Sequence, residues 1–272
     1  MPRLPARTPF AAALLIAALA GIGLLLWISH SPSRPLASTH NPHGSLDPLI
    51  HRRAVIGRSV RGRPVVAVAI GDPDAPRKLL VVGCIHGDER AGTAIARRLD
   101  SSSPQMNALV WVINNLNPDG AIAGTRQNAR GVDLNRNFPW HWRHLGHPGD
   151  WQYAGPRPLS EPETWIARAL ILRVRPYITI WFHQPLGLVD ESGGNPRIER
   201  RFARLAGLSL KRLPRYPGSA AGWQNHRLAQ STAFVVELPP GRPSPKRTAR
   251  LARAVWELAG KTSSGPRARR PE

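Results

Sequence analysis

Four short stretches of this sequence carry residue types able to do chemistry. The first is Gly83-Cys84-Ile85-His86-Gly87-Asp88-Glu89, where an apolar run ends and a histidine and a glutamate follow three residues apart. That spacing brings both side chains toward one ion if the chain turns helically there, and glycine permits the tight exit. Imidazole nitrogen and carboxylate oxygen are both accepted by zinc, and a catalytic zinc site needs three protein ligands with one position open to water. An isolated HxxE is common by chance, and a solvated helix start explains it equally. The second stretch runs from Asn117-Pro118-Asp119-Gly120 to Thr125–Pro139, TRQNARGVDLNRNFP, dense in Asn and Arg without helical periodicity. It reads as a turn followed by a long structured loop. Its arginines offer fork-shaped bonds to a substrate carboxylate or a developing oxyanion; the plain alternative is a surface loop satisfied by its own Asn and Asp turns. In the third, Ile180-Trp181-Phe182-His183-Gln184-Pro185, a strand delivers a histidine at its carboxyl end, where a hydrogen-bonded core histidine is the commoner case. In the fourth, Phe234-Val235-Val236-Glu237-Leu238-Pro239-Pro240, a carboxylate interrupts an apolar strand. Burial there is costly without a partner, unless an edge strand turns Glu237 to water.

Taken together and in this order, these stretches resemble the zinc carboxypeptidases, and most closely their bacterial murein peptide amidase branch. The resemblance runs from about Val55 to Gly241 and rests on GCIHGDE, NPDG, GVDLNRNFP, FHQPLG, YPGS…W and VVELPPG. It implies one Zn2+ per chain held by His86, Glu89 and His183. It implies that Arg126 polarises the scissile carbonyl and stabilises the oxyanion, that Asn135 and Arg136 grip the substrate's terminal carboxylate, and that Glu237 is the general base. Tyr216 matches the family's substrate-capping tyrosine, although it lies seven residues before Trp223, a shorter gap than in the animal enzymes. The chain is also shorter than those enzymes, and no pro-domain is apparent. The implied substrate is a peptide with a free carboxylate end, specifically a murein peptide with a γ-D-glutamyl-diaminopimelate bond. Two other classes compete. Zinc deacylases of N-acyl amino acids share HxxE and a DLNR-like segment, but GVDLNRNFP and YPGS look peptidase-like. A non-catalytic cell-wall-binding module would be expected to lose Glu237 or a ligand, and none is lost.

The elements that must position these residues alternate. Apolar runs predict strands over 65–70, 79–85, 108–114, 178–182 and 233–238, several of them rich in continuous Val/Ile/Leu as in strands buried on both faces. Helices are predicted over 90–99, 161–174, 197–206, 222–229 and 245–258. The pattern indicates a three-layer α/β domain, a mixed, largely parallel sheet flanked by helices, with its site outside the carboxyl ends of the strands. The expected organisation is an n-region over 1–9, a transmembrane signal anchor over 10–28, a linker over 29–48, the catalytic domain over 49–262 and a disordered tail over 263–272. Residues 10–28 contain no charge, follow Arg3 and Arg7, and nearly suffice to cross a hydrocarbon core of about 30 Å as a helix. The positive-inside rule then puts the domain outside the cytoplasm; cleavage as a secreted signal peptide is the alternative.

The remaining features bound the partners. Lys and Arg number 38 against 17 Asp and Glu, a net charge of +21. The charge is mostly arginine scattered along the whole chain, without interleaved stacking aromatics, so no nucleic acid is expected; an anionic membrane or wall polymer fits better. The single cysteine, Cys84, sits in an apolar run, reads as a small buried residue, and excludes an internal disulfide. His141, His144 and His147 in WHWRHLGHPGD read as part of an aromatic-rich loop over the cleft rather than as a metal tract. Asp190 and Glu191 read as a solvated loop, with a pocket wall as the second reading.

Overall fold

Strands of branched aliphatic residues build the sheet because each presents a row of side chains to both of its faces. The structure is a computed structural model and describes residues 48–260. The n-region, the anchor over 10–28, the linker up to residue 47 and the tail over 263–272 lie outside the described residues. Among those described, no helix is long and apolar enough to cross a membrane.

The strands are β1 (Ile50–Arg58), β2 (Pro64–Gly71), β3 (Lys78–Val82), β4 (Leu109–Ile113), β5 (Ile178–His183), β6 (Leu188–Asp190), β7 (Ser209–Lys211) and β8 (Thr232–Glu237). The helices are α1 (Ala91–Asp100), α2 (Pro118–Ala123), α3 (Pro162–Val174), α4 (Pro196–Ala206), α5 (Ala220–Arg227) and α6 (Pro245–Gly260). The strands form one sheet in the order β1-β2-β4-β3-β5-β8-β6-β7. Its centre, β4-β3-β5-β8, is parallel, whereas β1-β2, β2-β4 and β6-β8 are antiparallel. The sheet is therefore mixed, with its parallel part confined chiefly to the middle.

Alternate residues of the central strands feed two cores. Leu79, Val81, Ile180, Phe182, Phe234 and Val236 pack against α1, α4 and α6. Leu80, Val82, Trp181 and Ala233 pack on the other side with α3, α5 and the loop residues Leu134 and Phe138. Three layers result, as the alternation implies.

The differences from expectation have local causes. β1 was not anticipated: it is an exposed edge strand carrying His51, Arg52 and Arg53, without apolar alternation. β6 and β7 span three residues each, too short for a periodic signal. The stretch NPDG, read as a turn, opens the short helix α2. Proline stands at its first position, and the Asn117 side chain accepts from Gly120 N at 2.9 Å, which is a helix start built from turn residues. The 3-10 turn Leu134–Arg136 is capped in the same way by Asp133, which accepts from Asn135 N.

Candidate metal centre and cleft

β3 delivers the first two candidate ligands just beyond its carboxyl end. The chain leaves the sheet at Gly83 and closes a tight turn in which Glu89 N donates to His86 O at 3.1 Å. The HxxE pair thus sits in the turn preceding α1, not inside a helix. A side chain at Gly87 would collide with the backbone of Gly120, 2.0 Å from where its Cβ would stand. Glycine is required there because strand exit and α2 touch backbone to backbone. β5 ends at His183, whose register partner on β8 is Glu237. Adjacent parallel strands therefore set the third ligand and the proposed base side by side.

The three ligand candidates converge. One donor atom from each of His86, Glu89 and His183 lies within 4.8 Å of the others. His86 Nδ1 is 2.9 Å from Glu89 Oε1, His183 Nδ1 is 3.0 Å from Glu89 Oε2, and the two Nδ1 atoms are 3.1 Å apart. Two imidazole nitrogens and a carboxylate aimed at one point form the donor set of a catalytic zinc site with a position left open. The other nitrogen of His86, Nε2, is held by Asp133 Oδ1 at 3.1 Å, an arrangement by which a carboxylate fixes the orientation and tautomer of a metal-binding histidine. His183 Nε2 is buried without a partner. The residues present fit a zinc ion.

The surrounding charges are tightly bonded. Arg126 donates through Nε to Asp133 Oδ2 at 3.0 Å and through Nη1 to Glu89 Oε1 at 2.8 Å, and its guanidinium lies over the Trp151 ring, 4.7 Å from the centroid. Burial pushes the Glu89 carboxyl up, but the facing His86 and His183 imidazoles outweigh it and hold Glu89 well below the usual carboxylate range. Asp133 is likewise depressed against its burial, first by His86 and then by Arg126. His86 is raised: its burial opposes the charge, and Glu89 and Asp133 together overcome that opposition. Glu237 moves the other way. Burial raises its proton affinity, with the charge of Glu89 adding and that of His183 opposing, and its Oε2 is buried without a partner.

Away from the ligands, Asn135, Arg136 and Tyr216 line the same cleft of about 540 Å³ as His86, Glu89, His183, Arg126 and Glu237. Asn135 Oδ1 accepts from Ala220 N at 2.9 Å, so its remaining capacity to donate is the NH2 group. Arg136 lies over the Tyr216 ring, 4.2 Å from the centroid, donates through Nη1 to Asn135 O, and leaves Nε buried without a partner. The YPGS segment is stitched to NRNFP: Phe138 N donates to Gly218 O, and Gly218 N to Trp140 O. Gly218 has a φ of +69°, and a Cβ there would stand 2.0 Å from Arg136 O. Only glycine brings Tyr216 and Arg136 this close.

All eight candidate site residues thus line one cleft. Others were not singled out. Asp133 is fully buried and bridges His86 and Arg126; its only signal was an acid in the apolar triplet Val132-Asp133-Leu134. Gln184 N donates to Glu89 Oε2, and its side chain accepts from Ala91 N and donates to Pro239 O, tying the ends of β5, α1 and β8 together. Trp151 and Gln152, which follow the WHWRHLGHPGD stretch, line the cleft, whereas the stretch expected over it, residues 140–150, contributes no lining residue. His144 and His147 face each other at 6.4 Å, and among the described residues the grouping able to hold a metal is His86, Glu89 and His183. Asp190, read first as solvated, is instead buried and lines the cleft. Cys84 is buried, and burial pushes its thiol up to about 12, which leaves it unreactive.

A sheet whose strand ends present two histidines and a glutamate to a cleft that also holds Arg126, Arg136 and the carboxylate of Glu237 defines a metal-dependent hydrolase of carboxypeptidase fold. The profile of the zinc carboxypeptidase family matches residues 44–184. That stretch includes His86, Glu89, Arg126, Asn135, Arg136 and His183, and it stops short of Tyr216 and Glu237. Murein peptide amidase A of Vibrio campbellii is 32% identical over 197 residues, 68% of this chain and 78% of that protein. Its Escherichia coli K12 namesake is 34% identical over 148 residues, 50% of this chain and 60% of that protein. A crystal structure of murein-tripeptide amidase from Escherichia coli O157 superposes with a TM-score of 0.65 at 26% identity, covering 80% of this chain and 95% of that one. The chain belongs to the zinc carboxypeptidase family, and it is a metallo-hydrolase.

Proposed function

We propose that this enzyme hydrolyses the amide bond beside the free carboxylate end of a murein peptide, a γ-D-glutamyl-diaminopimelate bond being the type. The observation that carries the reading is the shared cleft: the ligand cluster, Glu237 and the arginines Arg126 and Arg136 all open onto it. Similarity to proteins named murein peptide amidase A supports the substrate class.

His86, Glu89 and His183 hold the ion, and a bound Zn2+ supplies Lewis acidity toward water and a carbonyl oxygen. Glu237, whose proton affinity burial has raised, takes a proton from the attacking water and passes it to the leaving nitrogen. Arg126 faces the oxygen on which negative charge develops, where a preorganised donor lowers the barrier most. Asn135 and Arg136 grip the terminal carboxylate and so orient the scissile bond. Tyr216, seated on Arg136, covers the bound end of the substrate.

The test is product analysis. The zinc-loaded protein, given L-Ala-γ-D-Glu-diaminopimelate, is expected to release free diaminopimelate and L-Ala-D-Glu and to stop when chelated. Turnover of N-acetylaspartate with none of the murein peptide would replace this reading with a deacylase. In the proposed setting residues 10–28 anchor the chain and the catalytic domain lies outside the cytoplasm. Protection of that domain from protease in intact cells whose outer face is accessible would reverse this topology.

A further inference from the structure

Beyond the carboxylate-gripping residues, the cleft holds a second pair of charges. The β6–β8 ladder pairs Leu188 with Glu237 and Val189 with Val236. One step further, that register sets Asp190 beside Val235, on the face that carries Glu237. The same cleft is also lined by Ser219, Ala221, Gly222 and Val235, which are small and uncharged. Asp190 is 5% exposed. Its Oδ2 accepts from Ser192 Oγ at 2.7 Å and Arg215 Nη1 at 3.0 Å. Its Oδ1 accepts from Leu213 N at 2.8 Å, which leaves that oxygen room for one more donor. Arg215 also lines the cleft, and its side chain is 49% exposed. Besides Asp190 it donates to Glu191 O, so most of its five donors remain open.

We propose that Asp190 and Arg215 form the side-chain subsite of this cleft, selecting a terminal residue whose own side chain ends in paired ammonium and carboxylate groups. The argument is one of charge matching. An uncharged side chain would strip water from an ion pair and return nothing. A lone ammonium would meet Asp190 but also the guanidinium of Arg215. A lone carboxylate would meet Arg215 but also Asp190. A distal amino-acid head answers both: its ammonium donates to Asp190 Oδ1, and its carboxylate accepts from the open edge of Arg215. Like-charge contacts reject the other two classes, so selectivity arises from repulsion as well as attraction.

This assignment rests on the peptidase reading above, and one panel separates the two. The zinc-loaded full chain is given L-Ala-γ-D-Glu-X with X as meso-diaminopimelate, L-lysine, which lacks the distal carboxylate, or L-2-aminopimelate, which lacks the distal amine. The expected kcat/KM favours diaminopimelate over each of the others by at least about a hundredfold, since a site built to bond a polar group rejects an analogue that lacks it by up to about 10⁴–10⁵. Arg215→Gln, at a half-exposed position that does not endanger folding, should erase the preference over lysine and spare the preference over 2-aminopimelate. Asp190→Asn retains an acceptor for Leu213 N and should do the reverse. Cleavage of none of the three peptides would overturn the peptidase reading, and the subsite with it. Cleavage of all three at similar rates, or preferences that survive both substitutions, would overturn the subsite alone.

Discussion

The two ends of the cleft are built on different terms. At the metal end, His86, Glu89, Arg126, Asp133 and His183 are all buried, and they bond chiefly to one another. At the substrate end, Arg136 is stacked on a half-exposed tyrosine with Nε unpartnered, and Arg215 is half in solvent. The first is a closed network on strand ends, where preorganisation favours steps that develop charge. The second keeps donors open, as a surface that must accept a ligand does. Damage at the metal end should therefore appear in turnover and metal affinity, and damage at the substrate end in KM and selectivity.

The largest expected effect tests the border between them. Glu237 stands beside His183 in the register yet contributes no ligand atom to the cluster. Glu237→Gln should keep one zinc per chain while kcat falls by roughly 10²–10⁴, the usual worth of a positioned base. Metal analysis paired with steady-state kinetics measures both. Near-normal turnover would move the base elsewhere, and loss of zinc would merge the base with the ligand set.

A smaller effect tests the metal end by itself. Asp133→Asn leaves an acceptor oxygen but removes the charge that orients His86 and pairs with Arg126. Metal affinity should fall about 10–100-fold, as it does when such supporting partners are changed, and competition against a chelator of known affinity reads this directly. Unchanged affinity would mean that the network holds its shape without that charge. The matching change at the substrate end is Arg136→Lys, which substitutes a point charge for a planar fork. KM should rise by about tenfold with kcat little altered. An equal fall in kcat would show that Arg136 acts in the transition state and would blur the contrast between the two ends.

The same contrast explains what the sequence disclosed. The central strands were legible because burial on both faces leaves runs nearly free of polar residues, aliphatic in Leu79–Val82 and broken by Thr179 alone in Ile178–Phe182. The ligands and Glu237 were legible because polar residues at the ends of such runs need a reason to be there. β1 escaped because an edge strand exposed to water has no periodic signature. Asp133 escaped because its role depends on His86 and Arg126, which fold and not spacing brings to it. Asp190 was legible only through the second of its two readings, a pocket wall, for a related reason. LVDES reads as solvated until the β6–β8 register carries it to the cleft wall.

The smallest expected effect concerns the segment that forms this wall. Glu199 on α4 is fully buried and accepts through Oε1 from Ser192 N at 3.1 Å and Gly194 N at 3.3 Å, while Oε2 has no partner. Burial pushes its carboxyl up to about 7 against the pull of those two N–H groups, with Asp190 and Glu191 adding to the rise. The unfolded chain releases this proton above about pH 4.5, whereas the folded chain keeps it to about 7. Over that window the folded state binds more protons, so stability falls as pH rises and then levels off. The contribution is complete below pH 4.5, and its loss is on the order of 1–3 kcal/mol. Glu199→Gln keeps the accepting oxygen, puts a neutral NH2 where Oε2 stood, and removes the titration. Its urea midpoint should therefore gain on the wild type between pH 5 and pH 8. A difference between the two proteins that does not change with pH would show that Glu199 is already ionised in the fold. The wall beside Asp190 would then carry a second buried negative charge, and the subsite would favour cations more strongly than the pairing with Arg215 implies.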